Sequence, residues 1–290
     1  MGKRGLFVAA LLVFDFTLFV SPPVGRSRDH APNSRRNEVP FDLYDGYLML
    51  VKGDIGPLQD VGIIVDTGTD PTVVDTEVAH KLGLQGGVAS QLTARGEVVA
   101  LTALLPSIKI GDLRANSLRV VIQDLSFLQR HSGISVAAIV GVDLLRASNF
   151  TIDYRHRKII FGYAAACRYS VPLESGASPL IVKIRIADQQ VRLLVDSGTP
   201  TVLLYGDRTI APMDHLQNEA TMVTPGGTLR SRWFVASRVT LGGRDLGRQA
   251  VLIAKSERAP AQDFDGLLGL VMTGFRTVSF DFENMVLRWN

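Results

Sequence analysis

Between Tyr47 and Asp66 the chain passes through two apolar stretches, "YLMLV" and "VGIIVD", of strand length and rich in Val, Ile and Leu, with the turn residues "KGDIGP" between them. This pattern predicts a β-hairpin. The plan returns as "LIVKIRI" and "VRLLVD", separated by "ADQQ", and predicts a second hairpin that ends at Asp196. Most of the remaining segments are short apolar runs punctuated by Gly, which suits a closed or sandwiched β architecture better than alternating βαβ units. Helices are expected to be minor elements: "TEVAHKLGL", with Thr76 as its cap and Gly83 as its stop, and "DLSFLQRH".

The second hairpin belongs to an internal repeat. "IIVDTGTD" is echoed by "LLVDSGTP", "SIKIGDLRANSLRVVI" by "SRVTLGGRDLGRQAVLI", "AIVGVDLL" by "GLLGLVMT", and "FTIDYRHRKIIFG" by "VSFDFENMVLRWN". Four landmarks in one order at nearly constant offset mark a tandem duplication of a module of roughly 125 residues, near the usual domain size. The predicted organisation is residues 1–24 as an export signal or N-terminal anchor, 25–40 as a linker, and lobes at 41–165 and 166–290.

An Asp that closes a buried strand is a costly placement, because a carboxylate taken out of water needs hydrogen bonds or a proton. Gly68 and Gly198 let backbone N–H groups approach, and Thr69 and Thr199 supply hydroxyl donors. Two related modules packed about a pseudo-twofold axis would bring Asp66 against Asp196. Two such carboxylates hold one proton between them, so one acts as base and the other as acid. That is the requirement for general acid-base hydrolysis of an amide by an activated water.

The chain resembles the aspartic proteases of the pepsin and retropepsin group. "VDTGT" and "VDSGT" match the family's Asp-Thr/Ser-Gly-Thr/Ser signature, and Ile139-Val140-Gly141 and Leu267-Leu268-Gly269 match its hydrophobic-hydrophobic-Gly element. "FDGLLGL" is similar to the pepsin form, whereas "IVGVDLL" and "AHKLGL" are similar to bacterial retropepsin-like domains. The resemblance spans Phe41 to Asn290. It implies a mostly β, bilobal pepsin-like acid-protease fold: two β-barrel-like lobes with few short helices and a cleft between them. It places Asp66 and Asp196 at the catalytic positions, has Thr69 and Thr199 hydrogen-bond these carboxylates, and has Thr67 and Ser197, with Gly68 and Gly198, support the catalytic loops. It implies an aspartic endopeptidase that takes a polypeptide substrate as a monomer and needs no cofactor and no metal. Hairpin flaps are expected at "SQLTARGEVVAL" and "MVTPGGTLRSRWF", with tips at Ala94 to Glu97 and Pro225 to Thr228, neither carrying a Tyr. Two flaps are the retropepsin arrangement and one the pepsin arrangement. An alternative of another class is a protease-fold module that binds peptides or cell-envelope components without cutting them.

Composition narrows the picture further. The net charge of +3 comes from scattered Arg without a basic block or stacked-aromatic pattern, which excludes the usual nucleic-acid footprint. Cys167 is the only cysteine, so no intrachain disulfide forms, and the five histidines match no metal-ligand spacing. Lys3 and Arg4 ahead of "GLFVAALLVFDFTLFV" form the charged and apolar regions of an export signal, predicting a periplasmic, secreted or membrane-anchored protein. "SPPVGRS" lacks an A-x-A cleavage pattern, so an uncleaved membrane anchor is the alternative, and a buried apolar strand the plainer one. Arg95 at a flap tip reads as a solubilising charge. Asp143 has no counterpart in the second module, and reads as a helix-start cap or surface ion pair.

Overall fold

The computed structural model describes residues 5–8, 37–93, 96–174, 179–206, 213–224, 227–254, 264–271 and 274–290. Ahead of the first module lie β1 (Gly5–Val8) and β2 (Asn37–Pro40), and the module contains β3 (Asp42–Tyr44), β4 (Leu48–Ile55), β5 (Leu58–Val65), β6 (Val73–Asp75), helix α1 (Thr76–Lys81), β7 (Gly87–Thr93), β8 (Gly96–Ile110) and β9 (Leu113–Gln123). It continues with α2 (Ser126–Ser132), β10 (Ala138–Val140), α3 (Val142–Leu145), β11 (Phe150–Asp153) and β12 (Lys158–Phe161). The second contains β13 (Tyr169–Pro172), β14 (Ile181–Ile186), β15 (Gln189–Asp196), β16 (Val202–Tyr205), β17 (Met213–Thr224), β18 (Gly227–Leu241), β19 (Arg244–Ala254), β20 (Gly266–Gly269), β21 (Thr277–Asp281) and β22 (Val286–Trp289). The protein is mostly β, with three short helices among the described residues.

Two eight-stranded sheets share the same central arrangement, one made by the first module and the other by the second with β1 at its edge. In the first, β10 runs parallel to β5 and antiparallel to β6. In the second, β20 runs parallel to β15 and antiparallel to β16. These central strands are buried on both faces, which is why they read as unbroken apolar runs and not as alternations. Ile63 and Val65 point into the large core, while Ile64 points into a smaller cluster with Tyr47, Val73, Phe127 and Ile139. Leu193 and Val195 likewise join the large core, and Leu194 a third cluster with Leu203, Met222 and Leu267.

The third sheet is shared. Its order is β13-β22-β21-β11-β12-β2, so three strands of the second module meet β11, β12 and β2 edge to edge at the β21–β11 pair. β11 pairs antiparallel with β21, setting Thr151 opposite Ser279 with their hydroxyls 3.0 Å apart. Phe150 stacks on Phe280 at 4.6 Å beside this pair, and the large core draws residues from both modules.

Three details differ from the sequence reading or add to it. The cap of α1 is Asp75, whose carboxylate accepts from Glu77 N–H at 2.9 Å, not Thr76, which is the first helical residue. A hairpin occupies each expected flap region: β7 pairs with β8 as far as Thr93 and Gly96, and β17 with β18 as far as Thr224 and Gly227. The tip residues Ala94, Arg95, Pro225 and Gly226 lie outside the described residues, as does most of the predicted signal and linker. Within that N-terminal run, Gly5–Val8 forms a strand parallel to β17. Among the described residues no helix is long and apolar enough to cross a membrane.

Candidate active site

Asp66 emerges from β5 and Asp196 ends β15. The Asp66 N–H donates to Val140 O at 3.0 Å, and Asp196 pairs in register with Gly269, so each aspartate is fastened to the apolar-apolar-Gly strand of its own module. Both side chains are fully buried.

The two loops then lock across the duplication. Thr67 N–H donates to Ser197 Oγ at 3.0 Å and Ser197 N–H donates to Thr67 Oγ1 at 3.1 Å. The hydroxyls pass the connection into the opposite strands, Thr67 Oγ1 to Val195 O at 2.9 Å and Ser197 Oγ to Val65 O at 3.4 Å. The glycines allow the close approach. A Cβ on Gly68 would sit 2.5 Å from Cγ of Asp196, and one on Gly198 would sit 2.6 Å from Oδ2 of Asp66. Each glycine therefore abuts the carboxylate of the other module, a contact no other residue type permits without displacement.

The hydrogen bonds to the pair are unequal. Asp66 Oδ1 accepts from Gly68 N–H at 2.8 Å and from Gly198 N–H at 3.1 Å, and Asp66 Oδ2 accepts from Thr69 Oγ1 at 2.9 Å. Asp196 Oδ1 accepts from Gly198 N–H at 2.7 Å, and its Oδ2 has no hydrogen-bond partner among the described residues. Thr199 was expected to mirror Thr69. It lies beside Asp196 and acts to lower its pKa, yet its buried hydroxyl makes no hydrogen bond of normal geometry among the described residues.

Burial raises the pKa of Asp66, and the Gly68 amide, Asp196, Thr69 and the Gly198 amide pull against it. Burial and then the charge of Asp66 hold Asp196 well above the ordinary carboxyl range. The hydroxyl and amide donors act in the direction the sequence suggests, but desolvation is the larger effect. Donors are concentrated on Asp66, which favours its ionised form over that of Asp196. Tyr154 and Tyr205 are held protonated by burial, with the charge of Asp196 adding to both and that of Asp66 to Tyr154.

One feature near the dyad was missed from sequence. Asp143, half-buried in the first turn of α3, is engaged by Thr72 at the far end of the Asp66 loop, and is neither in a surface ion pair nor the cap of α3, a position held by Gly141. Its absence from the second module was the available signal. Elsewhere, no group of three His, Cys, Asp or Glu among the described residues is placed to hold a metal ion.

Two buried aspartates coupled through one amide define a site suited to acid-base chemistry at a single water or carbonyl. Residues 51–144 match the family described as aspartyl protease, which supports an aspartyl protease family of retropepsin type and a peptidase class of function. The matched segment includes Asp66, Gly141 and Asp143, and Asp196 lies beyond it. No curated protein matches the chain.

Proposed function

We propose that the protein is an aspartic-type endopeptidase in which Asp66 and Asp196 activate a water against a peptide bond. The observation that carries this reading is the unequal sharing of the Gly198 amide: it couples two buried carboxylates while leaving one rich in donors and the other poor. Ionised Asp66 takes a proton from water as its oxygen attacks the carbonyl carbon, and Asp196 gives its proton to the carbonyl oxygen. The resulting gem-diol collapses when Asp66 passes its proton to the amide nitrogen, the C–N bond breaks and a diol proton returns to Asp196. No covalent enzyme intermediate is needed.

The reading extends to a bilobal arrangement with lobes at 41–165 and 166–290, supported by the repeated strand order around Asp66 and Asp196. One chain supplies both aspartates, which suits a monomer. The two hairpins, β7–β8 and β17–β18, are candidates to cover an extended peptide. Val223 of β17, although in the second module, packs with Tyr47, Ile64 and Phe127 of the first, so this hairpin already reaches across. Export by the N-terminal apolar segment completes the reading.

A mixed peptide library digested across a pH series by wild type, Asp66→Asn and Asp196→Asn tests the proposal. Wild type should cleave internal peptide bonds, and both variants should fold with turnover reduced by at least ~10³-fold. Turnover near wild type in either variant would refute the mechanism.

A further inference from the structure

We infer that Asp143 is a positioning residue for the catalytic loop of Asp66, acting through Thr72. The inference rests on the role proposed above for the dyad. Thr72 is fully buried. Its N–H donates to Asp143 Oδ2 at 2.9 Å, its hydroxyl donates to Asp143 Oδ1 at 2.7 Å, and the same hydroxyl accepts from Gly141 N–H at 3.1 Å. The strip from Gly141 to Asp143 also holds the middle of the loop, since Val142 N–H donates to Thr69 O at 2.8 Å. A Cβ on Gly141 would lie 2.3 Å from that carbonyl oxygen, so strip and loop are in direct contact. Thr69 in turn donates to the Asp66 carboxylate. The chain from Asp66 to β6 is thus tied at Thr69 and again at Thr72 to one short strip.

The duplication provides an internal comparison. Ile139 pairs with Val73 in the first module and Leu267 with Leu203 in the second, which aligns Thr72 with Val202 and Asp143 with Val271. Both members of the pair are replaced by valine together. The second module anchors its loop otherwise: Thr201 Oγ1 donates to Ala250 O of β19 at 2.7 Å, and Gly269 N–H donates to Thr201 O at 3.1 Å. The polar pair is therefore not a requirement of the strand arrangement. It accompanies a difference in geometry: in the module that has it, the loop threonine donates to its aspartate at 2.9 Å, and in the module that lacks it, the Thr199 hydroxyl lies beside Asp196 without a hydrogen bond of normal geometry. Holding Thr72 fixes the span in which Thr69 sits, which is how a carboxylate that touches no reacting atom sets the donor count on Asp66.

The test is a mutant cycle with Thr72→Val, Asp143→Val, the double variant and Asp143→Asn in the full chain. Asparagine offers an oxygen to Thr72 N–H and an amino group to its hydroxyl, so it keeps both contacts with Thr72 and gives up only the bond that Asp143 Oδ1 accepts from Leu144 N–H at 2.9 Å. Each valine variant should lose kcat on the order of tenfold with KM nearly unchanged, the double variant should be no worse than either single one, and Asp143→Asn should stay close to wild type. Unchanged kcat in both valine variants, or losses that multiply in the double variant, would overturn the inference. Should Asp143→Val not fold, the isosteric Thr72→Val carries the comparison. Should wild type cleave no peptide, the dyad's proposed role fails separately, and the side-chain carboxyl ¹³C titration of Asp66 becomes the readout. A titration moved by Thr72→Val and Asp143→Val but not by Asp143→Asn supports positioning, and one unmoved by any of them refutes it.

Discussion

Thr67 and Ser197 each donate a backbone N–H to the other's hydroxyl, at 3.0 and 3.1 Å, so the two aspartate loops are held by a reciprocal pair of bonds between equivalent residues. All of these groups are buried, and removing one hydroxyl leaves amide and carbonyl partners unpaired. Thr67→Val and Ser197→Ala should each lower unfolding free energy by about 1–3 kcal/mol, read from denaturant midpoints. The effect of Thr67→Val should be the larger, because its bond to the opposite strand is 2.9 Å against 3.4 Å for Ser197. Equal midpoints for wild type and both variants would contradict the reciprocal bonding.

The unequal donors predict unequal threonines. Thr69→Val removes a bond to Asp66 Oδ2, so Asp66 should bind its proton more tightly and the acid limb of the pH–rate profile should move upward, by on the order of one pH unit. Thr199→Val acts on Asp196 instead, the group whose pKa its hydroxyl lowers, and should leave the acid limb nearly in place. Equal displacements in the two variants would reject the assignment of base to Asp66 and acid to Asp196.

Gly68 is not in the left-handed region, so alanine is tolerated by its backbone and objectionable only for its Cβ, which would meet Cγ of Asp196 at 2.5 Å. Gly68→Ala should therefore displace a catalytic carboxyl more than it disturbs folding. The expected result is kcat reduced by about 10²-fold or more with a small change in thermal midpoint. A variant that unfolds before it loses activity would show the strain to be carried elsewhere.

Stability should decline from acid toward neutral pH. Asp66, Asp196 and Asp143 all bind protons more tightly in the folded state than the ordinary value of 3.8, and Asp143 is pushed up to about 7 by burial first and the neighbouring Asp70 charge second. Groups raised in this way contribute stability that is complete below the unfolded value and lost as pH rises through the folded one. Asp143→Asn removes one such group, so its stability curve should be flatter than wild type between about pH 4 and 7. Parallel curves over that interval would show that Asp143 does not hold its proton as the structure indicates.

The parts of the site that were readable in the sequence are those written in local pattern. Unbroken apolar runs ending in Asp, a Gly two residues on, and a later apolar-apolar-Gly element at matching positions in both modules are all short-range signals. What was not readable depends on pairing and on small offsets. Thr69 and Thr199 occupy equivalent places in equivalent motifs, yet only Thr69 makes a hydrogen bond of normal geometry to its carboxylate, and the Thr72–Asp143 pair that ties its loop has no counterpart under the other. Asp75 and Thr76 are both good caps by type, and the phase of one residue decided between them. Gly5–Val8 lies in a run whose hydrophobicity serves a signal or a strand equally, so its pairing with β17 could not be read from composition. The joining of the two modules through β11 and β21 was likewise invisible, since an apolar strand carries no mark of which neighbour it will take.

That third sheet has a consequence for how the chain can be divided. Thr151 faces Ser279, its own counterpart in the duplication, so β11 and β21 meet as two halves of a dimer would. Severing the backbone in the connection between β12 and β13 would leave each fragment with an open strand edge and half a shared core. Such fragments should aggregate or stay unfolded when alone and recover the native assembly when mixed, as a split protein whose complementation depends on β11 meeting β21. The covalent link makes that meeting intramolecular, and with it ensures that Asp66 encounters Asp196 and not a second Asp66.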